Sequence, residues 1–411
     1  MTTRSEPSPE PMYRWVIVTA SAVMLAVSMG MMVNGISVFF IPLNEEFGWQ
    51  RGSVSLINFA GLMGLALGGI VMGRIADHSS TRRVTLVGAV VLGLCILGAS
   101  RAQTLWQLYL LFFVGGFLGA GALFAPLIAN VGNWFRNAPG LALGIASAGQ
   151  ALGQGAVPYI LAILIGSMGW RGALTTMGIV MLVALISLAM LIRQPPDQKV
   201  ATTHGDSSMD EDSPVPLAPN VIVFWLGFAV VFCCICMSVP LMHLVPLIQD
   251  RGIPLEDAGS VLFLMLMVAI AGRIAFGKLA DMIGAIQAYW IASCWQTVLV
   301  FFFLQIESLN GFYVFAVIYG FGYAGVMTSL LVCVRVLTPL SRRASALGIV
   351  TLFGWLGHAI GGYQGGFFFD LAGNYTLTYA NAALAGVINL IIVASLYFTI
   401  ARRRSALAFA K

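Results

Sequence analysis

Twelve stretches of about 20 mostly apolar residues recur from one end of the chain to the other. They fall at about 15–41, 53–74, 84–100, 104–130, 140–166, 172–192, 221–248, 258–277, 286–306, 310–334, 345–369 and 376–400. Each is long enough to cross the roughly 30 Å hydrocarbon layer as an α-helix. Inside that layer a backbone must satisfy its own N–H and C=O groups, which leaves helices and closed barrels. Barrel strands would run for about ten residues and alternate apolar with polar, and nothing here does so. Only 9% of the 411 residues are charged, against about 25% in a soluble chain. The sequence therefore predicts an all-α integral membrane protein of twelve transmembrane helices, with the lipid bilayer as its first partner.

The basic residues orient it. Of the 21 Lys and Arg, four (Arg51, Arg101, Arg171, Arg251) lie in loops on one side, and Arg273 lies inside a run. The other sixteen fall on the opposite side, which by the positive-inside rule is the cytoplasm. Both termini are expected there, in an inner or plasma membrane. The polar, Pro-containing stretch before the first run, and the length of that run, argue against a cleaved signal. Basic residues that trace a membrane face rather than a groove imply no nucleic-acid partner.

One internal segment is plainly polar, "RQPPDQKVATTHGDSSMDEDSPVPLAPN" at 193–220. Its Pro, Ser and acidic residues read as a solvated linker. It divides the chain into a tail (1–14), a six-helix bundle (15–192), the linker (193–220), a second bundle (221–400) and a basic tail (401–411). The two bundles match at one offset, 204 residues, without a gap. Pro42 pairs with Pro246, Gly48 with Gly252, Gly68 with Gly272, Gly121 with Gly325 and Gly153 with Gly357, and "ALGI" at 142–145 returns at 346–349. The expectation is two pseudo-symmetric bundles in the same orientation, the parallel-repeat plan of a secondary transporter, with its site between the halves near the midplane.

Two short motifs repeat in register. Gly73, Arg74 and Asp77 follow the second run, and Gly277, Lys278 and Asp281 end the eighth. Glycine permits close helix approach, and the basic and acidic residues can pair across neighbouring inner helix ends. Breaking such pairs would let the halves rock, so these six residues are candidate gating positions. "GRIAFGKL" at 272–279 nearly fits a phosphate-binding loop, but Leu279 replaces the required hydroxyl and no strand precedes it. No nucleotide or other cofactor is expected, and energy must come from gradients. Cys233 and Cys236 form a lone C-x-x-C inside an apolar run; without a second ligand pair it reads as small-residue packing, not a metal site.

Arg273 stands inside the eighth run, "MLMVAIAGRIAFGKLAD". On the mildest scale an arginine at the centre of a membrane helix costs about 2.5–3.5 kcal/mol, so it should not face lipid. It either snorkels toward the nearby inner end or faces the cavity. All sixteen Asp and Glu fall in loops, tails or helix ends, so a cavity-facing Arg273 has no internal counter-ion. An anionic substrate is the natural one, because a guanidinium matches a carboxylate in two parallel hydrogen bonds.

The G-[RK]-x-A-D motif in both halves, over twelve helices and a central linker, resembles the major facilitator superfamily. Within it, "NGISVFF", "HLVPLIQDRG", "NWFRNAPGLALGIASAGQALG" and "GGFFFDLAGNYTLTYA" are similar to the monocarboxylate porter and oxalate:formate antiporter branch. The resemblance implies the facilitator fold, a monomeric transport unit, no enzymatic activity, and a carboxylate-binding role for Arg273. Two positions depart from it. Ala269 stands where animal members carry Asp, and Asn34 where they carry Lys, so their charged relay is missing. The oxalate exchangers' second cation is also absent, with His358 in that helix instead. One fixed cation suits a monoanion.

Other polar residues in apolar runs complete the candidate substrate site. His358 titrates near neutral pH and is a candidate proton carrier, or else a neutral ring bonded to a helix backbone. His243 lies near the outer end of the seventh run. Tyr319 and Tyr323, one turn apart, can offer hydroxyls; their repeat mates are Gly115 and Gly119. Asn34, Asn58, Gln150 and Gln154 can line the cavity or bond a neighbouring helix. The expected activity is transport of a small monocarboxylate of lactate or pyruvate size, with proton symport first and anion exchange second. Export of amphipathic compounds and a non-transporting sensor are the alternatives.

Overall fold

The computed structural model describes residues 12–135, 139–195, 215–339 and 343–409. The described residues are helical throughout and contain no strand. We number the membrane helices α1 (Tyr13–Val38), α2 (Arg51–His78), α3 (Thr81–Ala99), α4 (Leu105–Trp134), α5 (139–168) and α6 (170–191). The second half holds α7 (Pro219–Gln249), α8 (Leu255–Ile283), α9 (Ala285–Gln305), α10 (Leu309–Leu337), α11 (Arg343–Ala372) and α12 (Thr376–Phe409). Helices α5 and α6 run on almost continuously, parted only at Gly169, whose φ of 72° and ψ of 169° no helix accommodates. With that break there are twelve crossings, as the sequence predicts. The first eleven residues and most of the linker (196–214) lie outside the described residues. The last helix carries on through Arg402–Arg404 to Phe409, where the sequence suggested a tail; the run "TIARRRSALAF" has no Gly or Pro to stop it.

The outer surface is apolar. Val87, Leu94, Val183, Val314 and Ile391 are each more than half exposed. A water-soluble surface does not carry such a belt, and a bilayer covers it.

The 204-residue repeat is visible as shared helix crossings. An added methyl group on Gly68 of α2 would collide with the carbonyl oxygen of Phe117 on α4, and one on Gly272 of α8 with that of Phe321 on α10. Gly116 meets the carbonyl of Gly61, and its mate Gly320 meets that of Met265. Every partner in these pairs is itself offset by 204. In a membrane, close backbone packing of this kind drives helix association. The turns repeat as well. Gly169 and Gly373, the mates before α6 and α12, both take the left-handed conformation, at φ 72° and 70°, which favours a residue without Cβ.

Between the halves, α2 packs on α11 and α5 on α8. On the second contact Tyr159 stacks on Phe263 at 5.6 Å, and Gly155 and Gly259 admit Leu266 and Ala162 closely.

Gly68→Val should destabilise the protein by about 1–3 kcal/mol, the ordinary cost of overpacking. It should appear as a lower melting temperature in detergent. Gly144→Ala, where nothing lies within 4 Å, should melt at or above the wild-type temperature.

Candidate functional site

Arg273 lies past the middle of α8, ten residues short of the helix end at Ile283, or about 15 Å of rise. Its neighbour Ile274 is 72% exposed toward the lipid, whereas the Arg273 Nε is buried. The residue as a whole is half-buried, with its Nε enclosed by protein. Among the described residues it makes no hydrogen bond or ion pair. Ala269, one turn earlier, is buried and apolar.

Tyr323 on α10 lies within electrostatic reach of Arg273. It stacks on Tyr319, with ring centroids 5.5 Å apart and planes at 13°. Tyr319 is fully buried behind it against Phe303, and its hydroxyl has no partner. On α7, Tyr319 neighbours Cys236, while Gly357 of α11 abuts Val231. Those contacts bring His358 to about the depth of Tyr323. The His358 Nε2 is buried without a partner, and its ring lies 6.3 Å from Trp355, which packs on Phe124 of α4. Across the α5–α8 contact, the register set by Gly155 and Leu266 brings Gln150 to the depth of Arg273. Arg273, Tyr323, His358 and Gln150 thus form one tier, with Tyr319 behind.

Asn34, Asn58 and Gln154 form a second tier nearer the outer face. Helix α1 widens to a π-helical turn at Gly30–Asn34 and tightens to a 3₁₀ turn at Gly35–Val38. Such turns expose backbone carbonyls and recur at functional sites. Here Asn58 Nδ2 donates to the carbonyls of Met32 (3.2 Å) and Val33 (2.8 Å). Asn34 Nδ2 donates to the carbonyl of Gln154 at 3.1 Å. The Asn34 and Asn58 side-chain oxygens remain buried without partners, leaving two acceptors for a donor group. Helix α4 has its own π turn at Gly115–Ala120, where the mates of Tyr319 and Tyr323 are glycines.

His243 belongs to neither tier. It is fully buried, with Nε2 2.7 Å from the Gly362 carbonyl and Nδ1 3.4 Å from the Tyr375 hydroxyl. It ties α7 to α11 beneath the outer end. Of the candidate gating residues, Arg74, Lys278 and Asp281 are exposed at the inner helix ends, and Gly73 and Gly277 face Ala125 and Thr328; the side chain of Asp77 lies outside the description.

The outer end holds a cluster that the sequence did not single out. Arg51, the first residue of α2, donates to both Asp250 oxygens at 2.8 and 2.6 Å and to the Tyr375 hydroxyl at 2.7 Å. Its guanidinium lies 3.9 Å from the Phe369 ring centroid. Asp370 accepts from the backbone N–H groups of Arg51 (2.9 Å) and Gly52 (2.6 Å), capping α2 from the other half. Ser55 and Arg51 leave Gly366 no room for a side chain. This fastening joins the halves and shuts the outer end. Glu46, the repeat mate of Asp250, instead pairs within its own half, with Arg171 Nη2 at 2.6 Å and Trp170 Nε1 at 2.5 Å. The Arg171 hydrogen bond, then that of Trp170, holds the Glu46 carboxyl below the usual carboxylate range.

Two like bundles in the same orientation, fastened together at one end by Arg51, Asp250 and Asp370, are the architecture of an alternating-access membrane transporter. The sequence profile of the Major Facilitator Superfamily matches residues 22–334, and the chain belongs to that family. It is 26% identical over 395 residues to "Monocarboxylate transporter 13" of Rattus norvegicus, covering 93% of this chain and 88% of that one. It is 22% identical over 396 residues to "Monocarboxylate transporter 2" of the same organism, covering 90% and 80%. Its fold is similar to that of a bacterial homologue of the human lysosomal transporter Spinster, with a TM-score of 0.74 at 16% identity over 97% of this chain and 98% of that one. The protein is a transporter and not an enzyme.

Arg51→Gln should loosen the outer end and shift the population toward an outward-open state. With the native cysteines replaced, Ser55→Cys should then react with an impermeant maleimide severalfold faster than in the Arg51 parent. Equal rates would show that the cluster does not hold the closure.

Proposed function

We propose that this protein is a secondary active transporter of a small monocarboxylate anion, lactate- or pyruvate-like, with Arg273 as the carboxylate site. One observation carries the reading: Arg273, inside the eighth membrane span, has a buried Nε without a hydrogen-bond partner among the described residues. An anion with two coplanar oxygens supplies what the guanidinium lacks. Tyr323, at the same depth, can donate its hydroxyl. The open oxygens of Asn34 and Asn58 repel a carboxylate but accept from a hydroxyl, which favours a 2-hydroxy acid entering from the outer tier. The names of the monocarboxylate transporter relatives point the same way.

Transport proceeds by alternating access. The Arg51–Asp250–Asp370 fastening holds the outer end closed, and its release, with Arg74, Asp77, Lys278 and Asp281 pairing at the inner ends, gives the opposite state. Sliding at the glycine crossings of α2 with α11 and α5 with α8 accompanies that rocking. The protein acts as a monomer in the inner or plasma membrane, with both termini in the cytoplasm. Proton symport through His358 is the first coupling and anion exchange the second, and both use the same carboxylate site.

In proteoliposomes, Arg273→Gln should weaken saturable lactate or pyruvate uptake by roughly 10–150-fold, the equivalent of a lost charge-assisted bond. Arg273→Lys should fall between, because it keeps the charge but loses the two-pronged geometry. Wild-type uptake by Arg273→Gln would sink the assignment.

A further inference from the structure

We infer that His243 is a proton-binding site of the outer closure: a proton taken up there from the outer solution opens the outer end of the transporter. The inference concerns the closure and holds whatever the carrier binds.

The ground is where the ring sits and what holds it. His243 is on α7, in the second half, and is fully buried. The first half covers it twice. Phe40, just past the 3₁₀ turn of α1, lies against the ring with centroids 5.1 Å apart. Arg51 of α2 reaches across to the Tyr375 hydroxyl beside it, at 2.7 Å. From the second half, Gly362 and Gly365 of α11 complete the enclosure, and a Cβ on Gly365 would collide with the imidazole. The scaffold does not require a polar ring here, for the repeat mate of His243 is Phe39, equally buried.

The partners set the tautomer. The Gly362 carbonyl, 2.7 Å from Nε2, can only accept, so the ring hydrogen is on Nε2. Nδ1 then carries the lone pair and faces the Tyr375 hydroxyl at 3.4 Å. That hydroxyl accepts from Arg51 and turns its own hydrogen to Nδ1. The closed end is thus built around a neutral ring. A proton on Nδ1 changes that acceptor into a donor, against a hydroxyl whose hydrogen already points at it. It also places a second positive charge within electrostatic reach of Arg51, in surroundings that water does not enter. The nearby acids are taken. Asp250 is held by the Arg51 guanidinium, and Asp370 by the backbone N–H groups that start α2.

When the halves part, Phe40 and Arg51 leave with the first half and water reaches the ring. A hydrated imidazole titrates at about 6.5. The proton therefore prefers the open state, so the closure holds above that pH and weakens as pH falls through it. The other groups about the ring keep their charge in that window. Carboxylates such as Asp250 and Asp370 ordinarily titrate at about 4, phenols such as Tyr375 and Tyr379 at about 10, and a guanidinium such as Arg51 above about 12. Asn58, whose Oδ1 lies by Gly362, does not titrate. His358, one turn below Gly362 on α11, does, and the test separates the two.

The test measures how fast a thiol at the outer end reacts in detergent solution as pH is lowered. With the native cysteines replaced, Ser55→Cys reports the opening, because Ser55 is 0% exposed when the end is closed. Gln103→Cys, at an exposed outer position, corrects for the reagent's own pH dependence. From about pH 7.5 to about pH 5.5 the corrected rate should rise about tenfold, the change that one proton on an ordinary imidazole produces. In His243→Gln, with His358 intact, it should stay flat. Where that variant does not fold, His243→Phe, which carries the ring of the repeat mate, should give the same flat response. A rate that does not rise in the His243 parent overturns the inference without any variant at that position. A rise that survives in His243→Gln or His243→Phe overturns it as well, and assigns the response to another group.

Discussion

A charge inside hydrocarbon must be paired, hydrated or moved to an edge, and most of this structure follows from that requirement. Twenty of the 21 basic residues lie outside the apolar runs, in tails, loops, the linker or at their ends, and all sixteen acids do likewise. At the outer edge, charges fasten the halves together, with Arg51 taking Asp250 and Tyr375 while Asp370 caps the helix that Arg51 begins. Within the spans a single arginine remains, half-buried, its Nε enclosed and without a partner among the described residues. As the proposed carboxylate site, it would be completed by a substrate that brings the opposite charge.

Around this asymmetry the scaffold is symmetric. The same glycine-to-carbonyl crossings recur at 204-residue spacing, Gly68 on Phe117 and Gly272 on Phe321, so the two bundles are one packing solution used twice. Function enters where the copies differ. On α4 the positions are Gly115 and Gly119 in a π turn, while on α10 they are Tyr319 and Tyr323 in a regular helix. Glu46 pairs inside its own half, while its mate Asp250 reaches across to the other. One half thus presents a smooth wall, and the other carries the cation, the hydroxyls and the imidazole.

How much of this was legible in the sequence depended on range. The spans, the repeat and the oddity of Arg273 are local or periodic and could be read directly. So could the glycine register, because a close helix crossing demands the same small residue in both copies. Arg51 was not legible. It sits at a helix start among ordinary loop charges, and its partners are 199, 319 and 324 residues away. The role of Asn58 was hidden for a different reason: it closes a widened turn in α1 that "GMMVN" does not announce. His243 read as a candidate substrate-site residue because it is polar in an apolar run, yet both ring nitrogens are engaged. The reach of α12 to Phe409 was missed because three arginines look like an end, although they continue a helix well at an inner membrane edge.

The central claim is that a carboxylate substrate is the counter-ion of Arg273. An experimental structure of the protein with lactate bound tests it most directly. The account predicts the carboxylate on the Arg273 guanidinium at about 2.8 Å, with Tyr323 beside it and no acidic side chain in contact. Lactate bound elsewhere, with the Arg273 side chain reaching the inner headgroup level or paired to a protein carboxylate, would contradict it.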